Sequence, residues 1–193
     1  MDKQLDLLNL RISQMVQSAY PEQVQNLVFG EGRLNSVIML VGEAPGAQET
    51  LQHRPFVGKA GQNLDAFIRA VDLNREEMYV TNTVKFRPTR QSPKGTLSNR
   101  PPSAGEIRSF LPFLQEEIAI VQPRVLVTLG NVPLRAVTLE NISIGNVHGQ
   151  FRPLQNCILF PMFHPASVIY NPSLKQTLEN DSLTLAKFIK EMR

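Results

Sequence analysis

Glu43, Asn82 and His164 are the side chains of this 193-residue chain whose types and settings invite chemistry. Each follows a short apolar run: Val37 to Val41 before Gly42-Glu43, Met78 to Thr81 before Asn82, and Cys157 to Met162 before Phe163-His164. Runs of that length, rich in branched residues, read as buried strands, and the polar residues that stop them as strand-end turns. Such a turn places the Glu43 carboxylate and backbone N–H groups at the rim, and a neutral amide there can donate and accept at once, as the edge of a nucleobase requires. The ordinary readings are a solvated Glu at a strand exit and an Asn closing a turn. Phe56, in Arg54-Pro55-Phe56-Val57-Gly58, belongs to a rigid loop in which it is either a core plug or a stacking platform. Most Phe residues are simply buried, which favours the plug. Lys85, Arg87, Arg90, Lys94 and Arg100 fall among prolines and small polar residues with no acid between positions 85 and 102. That stretch reads as an exposed, irregular basic loop suited to phosphates, or as a solvated loop with incidental charge.

Bringing these residues together requires an open parallel sheet, because ligands in such sheets sit just beyond the carboxyl ends of the strands. The apolar spacing of Ala60, Leu64, Phe67, Ile68 and Val71 predicts a helix between the first two core strands, hence a crossover unit. Ser103 followed by Glu106 predicts a capping box opening a helix over 104–120, with Pro112 imposing a kink or a late start. Val125 to Leu129 reads as a further core strand, with Asn131 capping a short helix through Leu139. Positions 142–151 read as a short hairpin or loop. Amphipathic helices are expected before Pro21, with Asp2 as its cap, and after Asn171-Pro172. The fold class is α/β, three layers with a central four-stranded parallel sheet, in one domain spanning 1–193.

Composition sets bounds on function. The formal charge of +3 and a pI near 9.2 permit a nucleic-acid partner without demanding one. No apolar run approaches the roughly 20 residues of a membrane span. The start, Met1-Asp2-Lys3-Gln4, lacks the basic and apolar regions of a secretory signal, so a cytoplasmic protein is expected. The lone Cys157 lies in an apolar run and reads as a structural thiol. No Gly-rich phosphate fingerprint follows the first strand, which disfavours an unrelated nucleotide-binding enzyme.

Together, a carboxylate, an amide, a histidine and an aromatic on one rim describe a pocket for a planar heteroaromatic. At this point the motifs carry a resemblance. Gly42-Glu43-Ala44-Pro45-Gly46 with Glu49, Arg54-Pro55-Phe56-Val57-Gly58-Lys59-Ala60-Gly61, Tyr79-Val80-Thr81-Asn82, Lys85 with Arg87-Pro88, and His164-Pro165-Ala166 resemble the family 4 uracil-DNA glycosylases, in order and along essentially the whole chain. The resemblance implies excision of uracil from DNA by base flipping, a base-excision-repair reaction, by a monomer. It implies that Gly42 and Ala44 line the turn against the uracil, that Phe56 stacks on it, and that Asn82 reads its pairing edge. It implies that His164 supports the leaving base, and that Glu43, or its rival Glu49, orients water. Lys85, Arg87 and Arg100 are then expected on DNA, and Ile169 and Tyr170, after the His motif, are candidate wedges. The alternative expectation is a protein of the same fold that binds uracil or damaged nucleic acid without cleaving it.

The chain departs from that family at its iron–sulfur cluster. The places that carry the four cluster cysteines correspond here to Met15, Ser18, Phe86 and Phe110, so no cluster is expected. Met15, Phe86 and Phe110 are expected to pack together where the cluster would lie. A related base-trapping group uses a histidine in the basic loop; Ser98-Asn99-Arg100-Pro101 has none, so turnover rather than trapping is expected.

Overall fold

The computed structural model describes residues 2–58, 61 and 77–192. The helix expected over 60–71 lies outside the described residues. Four fully buried strands form the centre: β2 (Ile38–Gly42), β3 (Met78–Asn82), β6 (Val125–Leu129) and β8 (Cys157–Met162), the last buried from Leu159 on. All four run parallel, in the spatial order β3-β2-β6-β8. Two short antiparallel strands, β1 (Glu31–Gly32) beside β3 and β7 (Arg152–Leu154) beside β8, close the edges. These two are too short and too polar for an alternating pattern to reveal them.

Alternate residues divide between the two faces, as the pleat dictates. Ile38, Leu40, Val125, Val127, Phe160 and Met162 face Leu185, Ala186 and Ile189 of the final helix (Leu174–Met192). Met39, Val41, Leu126 and Leu159 face Leu114 and Val121 of the Ala104–Val121 helix and Leu134 of the Asn131–Thr138 helix. The α/β/α layering is therefore the one that the strand pattern implies. Among the described residues, no helix is long and apolar enough to cross a membrane.

Local signals played out unevenly. Asp2 caps the opening helix (Lys3–Ala19) by accepting from the Gln4 amide at 2.8 Å. Ser103 and Glu106 form the capping box, so the helix starts at Ala104 and runs on through Pro112 rather than starting late. Asn131 does not cap its own helix. Its Oδ1 accepts from the Ile144 amide at 2.8 Å, fixing a short helix, Ile144–Val147, where a hairpin or loop was expected. The basic loop is not irregular throughout: Thr89–Gln91 (β4) and Leu97–Asn99 (β5) pair as a hairpin. Gly95, at φ +82°, supplies the left-handed residue that this turn needs.

A third apolar cluster lies beside the sheet, between the opening helix and the Ala104–Val121 helix. Phe86 and Phe110 meet edge to face with centroids 5.6 Å apart, and Tyr20 packs on Phe86 at 5.2 Å with the rings tilted by 55°. Met15 packs against this group, whereas Ser18 is exposed. Three of the four places that would carry cluster cysteines therefore line one dry aromatic plug. Cys157 lies against a different cluster, and among the described residues no three metal-binding side chains converge. The residues present do not fit an iron–sulfur cluster.

Truncating the plug should be costly: Phe110→Ala is expected to lower unfolding free energy in urea by about 3–5 kcal/mol. Ser18→Ala, at the exposed fourth place, should stay within about 0.5 kcal/mol of the parent.

Candidate active site

Parallel register sets the site. Gly42 pairs with Asn82, and the pairing continues past the strand ends, with Thr83 N–H donating to the Gly42 carbonyl at 2.8 Å and Val84 N–H to the Glu43 carbonyl at 3.1 Å. Gly42 must lack a side chain, because a Cβ there would collide with Asn82 Oδ1 and approach Phe56 Cζ to 2.7 Å. The amide and the aromatic ring thus meet over one glycine. Asn82 is 4% exposed, and its side chain makes no hydrogen bond to any described protein group. Among the described residues the fully buried side-chain atoms without a partner are Ser36 Oγ and Thr128 Oγ1, so the Asn82 amide keeps its contact with solvent through the small area it exposes.

Phe56 adopts φ +53° and is 4% exposed, lodged among Leu40, Leu129 and Met162 with one ring edge at Gly42. Its burial in the core cluster is that of a plug, with ring atoms Cζ and Cε2 lying against Gly42. Ala44 packs toward the aromatic plug cluster.

Glu49 is buried and both its oxygens are engaged. Oε1 accepts from Gly58 N–H at 2.7 Å and Oε2 from Gly46 N–H at 3.1 Å. One carboxylate thereby ties the turn after β2 to the loop that carries Phe56. Glu43 differs: no described protein donor holds its carboxylate, and burial raises its pKa above the usual 4.5.

His164 follows β8, beside the end of β6, where a Cβ on Gly130 would lie 3.5 Å from the histidine Cβ. The Ala166 amide donates to His164 Nδ1 at 3.1 Å, and Ser167 Oγ donates to the His164 carbonyl at 2.6 Å, fixing the turn. Since Nδ1 accepts, a neutral ring carries its proton on Nε2 and is a donor there. Burial lowers the His164 pKa, partly opposed by Glu49, so the ring is neutral near pH 7.

The expected DNA contacts divide. Lys85 is not at the surface. Its ammonium is 1% exposed and donates to Glu117 Oε2 at 2.6 Å, Thr81 Oγ1 at 2.6 Å and the Asn82 carbonyl at 2.8 Å. Tyr79 and Thr81 hydroxyls complete the Glu117 carboxylate. Lys85 therefore fixes the main chain of Asn82 from beneath. Arg100 is likewise committed, bonded through both terminal nitrogens to Glu106 at 2.7 and 2.6 Å and through Nε to the Thr89 carbonyl. Arg87 Nε donates to Asn99 Oδ1 at 2.7 Å. Tyr170 is 88% exposed in the short Ser167–Tyr170 helix, a few residues past His164; the Ile169 side chain lies outside what the structure describes.

Glu117 was missed in the sequence, though a signal existed. It occupies a core position of its helix, in step with Phe110, Leu114 and Val121, where an acid needs a buried cation.

Residues 29–190 match the family described as the uracil DNA glycosylase superfamily. A type-4 uracil-DNA glycosylase of Saccharolobus solfataricus is 36% identical over 166 residues, covering 81% of this chain and 73% of that protein. Another type-4 uracil-DNA glycosylase, from Sulfurisphaera tokodaii, is 39% identical over 165 residues, covering 81% and 71%. Among solved structures, wild-type SMUG2 of Pedobacter heparinus superposes with a TM-score of 0.51 at 11% identity, covering 84% of this chain and 75% of that one, a likeness of fold.

Breaking the buried pair by Lys85→Met should strand Glu117 and cost about 3–5 kcal/mol in urea unfolding. Adding Glu117→Gln to that variant should recover most of the loss, since no unpaired charge then remains.

Proposed function

Because the chain belongs to the uracil DNA glycosylase superfamily, we propose that it hydrolyses the N-glycosidic bond of uracil in DNA, leaving an abasic site for repair. It acts as a monomeric single domain in the cytoplasm. The observation that supports this reading is the Asn82 amide, bonded to no described protein group and set against Gly42 and the Phe56 ring at the strand-end rim. A uracil edge offers the amide one acceptor and one donor, and the Phe56 ring edge beside Gly42 gives the base an apolar border.

Cleavage sends the bonding electrons into the base, leaving an oxocarbenium-like sugar and a uracil anion. His164, neutral and protonated on Nε2, donates to the oxygen where negative charge develops; a preset neutral donor needs no reorganisation at that moment. Glu43 orients water toward the sugar carbon and favours the positive charge there. Glu49 and Lys85 touch neither base nor sugar in this scheme. They position the loops and the Asn82 backbone. Extrusion of the base costs a few kcal/mol, less from a mismatch or single strand. Exposed Tyr170 fills the gap left in a duplex.

A uracil-containing oligonucleotide, treated with alkali after incubation, tests the reading. Strand scission is expected with the parent protein, and Asn82→Ala and His164→Ala should each lower the rate by roughly 10²–10³-fold. Tight binding without scission would instead mark a protein that recognises uracil and does not cleave. Activity needs Glu43 ionised, so it should fall as pH drops through a value above 4.5, and Glu43→Gln should be slow and flat over that range. An acid limb that survives Glu43→Gln would remove that assignment. Tyr170→Ala should slow excision from duplex more than from single strands, by about tenfold in the ratio, since unpairing by a wedge is needed only in the duplex.

A further inference from the structure

His164 is presented by the carboxyl end of β8, and that end is held from both sides by glycine amides. On one side Gly130 N–H, just after β6, donates to the Met162 carbonyl at 2.8 Å. On the other, β7 pairs with β8 no further than Leu159, and beyond it Gly149 N–H takes over, donating to the Pro161 carbonyl at 2.9 Å. The segment that carries this second clamp is itself anchored. Its helix, Ile144–Val147, starts on Asn131 Oδ1, next to Gly130, and ends at His148.

An acid of the final helix fastens that segment. Asp181 is buried, its Oδ2 lies 2.9 Å from His148 Nδ1, and its carboxylate fills the place where a Cβ on Gly149 would stand. Gly149, at φ +68°, is doubly bound to be glycine. A carboxylate only accepts, so the proton of this bond lies on His148 Nδ1. The His148 ring then packs on the ring of Phe163, the residue before His164, with centroids 4.8 Å apart and a tilt of 43°. Burial pushes the Asp181 carboxyl up and the His148 bond opposes it, so the charge of the acid leans on this partner. Burying a carboxylate is a costly way to pack a helix, and nothing in the bond-breaking step uses Asp181 or His148 directly.

We propose that Asp181 and His148 are positioning residues for His164: the acid sets the His148 ring and the Gly149 amide, and these set Phe163 and the end of β8, so that His164 Nε2 meets the oxygen of the departing base. The inference rests on the reading of His164 as donor to the leaving uracil. Neither residue touches base or sugar. Their effect falls on the transition state and leaves substrate binding alone, since a hydrogen bond that strengthens as charge develops loses most from a small displacement of its donor.

The test uses Asp181→Leu and Asp181→Asn, which have nearly the same shape but of which only the amide can accept from His148 Nδ1. On a single-stranded uracil oligonucleotide, the single-turnover rate at saturating enzyme should fall by about tenfold in Asp181→Leu, with the half-saturating concentration within about twofold of the parent. Asp181→Asn should bring the rate back to within about threefold of the parent. Should Asp181→Leu not fold, His148→Asn takes its place: it leaves the acid a donor, removes only the ring on Phe163, and should slow the rate by a similar factor. A rate kept at the parent's level, a loss confined to half-saturation, or an equal loss in Asp181→Asn would each overturn the positioning role. A second measurement needs no chemistry: imidazole nitrogen NMR of the whole chain, which has three histidines, with His164 identified by the signals lost in His164→Gln. The Nε2-protonated pattern of His164 should shift or broaden in Asp181→Leu or His148→Asn and persist in Asp181→Asn. Unmoved His164 signals exclude the role, even if the parent excises nothing and the glycosylase reading has failed by itself.

Discussion

Close approach at Gly42 is the constraint on which the rest of the site depends. The sheet sets Gly42 against Asn82, and the absence of a side chain lets the amide and the Phe56 ring occupy the same small space. A slip of one residue would turn Asn82 to the opposite face of the sheet. Four buried parallel strands in continuous register prevent that slip, so the hydrophobic core and the recognition geometry are enforced by the same contacts. Two buried carboxylates then hold the parts that the sheet cannot reach. Glu49 joins two loops through main-chain N–H groups, and Glu117 anchors the lysine that holds the Asn82 carbonyl. Both are charged groups whose partners are fully specified, the condition under which buried charge fixes geometry rather than merely costing stability.

The aromatic plug joins its chain segments without metal ligands. Four thiolates around a metal cluster would hold three chain segments by coordination; here Phe86, Phe110, Tyr20 and Met15 join the same kinds of segment by apolar burial. Edge-to-face rings add directionality to that burial, on the order of 1 kcal/mol per pair. The plug lies on the opening-helix side of the Ala104–Val121 helix, and the Lys85–Glu117 pair arises from the same two segments, at Lys85 beside Phe86 and at Glu117 along the helix from Phe110. Packing of the plug and alignment of Asn82 are therefore coupled through one helix.

The sheet was legible because each core strand is a short apolar run that stops at a polar turn, and burial on both faces leaves no ambiguity about where such runs go. Gly42, Asn82 and His164 were legible as strand-end residues for the same reason. What one-dimensional reading missed was partnership. Lys85 looked like a phosphate contact because the acid that claims it is 32 positions away. Arg100 looked free although Glu106 is close in sequence, since a capping glutamate does not reveal that its carboxylate also takes an arginine. The hairpin was hidden by Pro88 and Pro93, which signal irregular chain, although Gly95 and its flanking Thr96 and Leu97 suit a turn and a strand.

Sorting cations by partner changes the electrostatic argument. A net charge of +3 is modest, yet it sums charges that have different fates. Lysine and arginine held by Glu117 and Glu106 contribute little field beyond their pairs, because each is cancelled within a few ångströms. Arg90 and Lys94, on the β4–β5 hairpin, are held by no acid among the described residues and keep their field. Two polar groups at the rim itself are neutral: a histidine kept uncharged by burial and an amide that carries no charge. A buried cation at that place would bind any anionic group, whereas a neutral pair suits only a complementary edge.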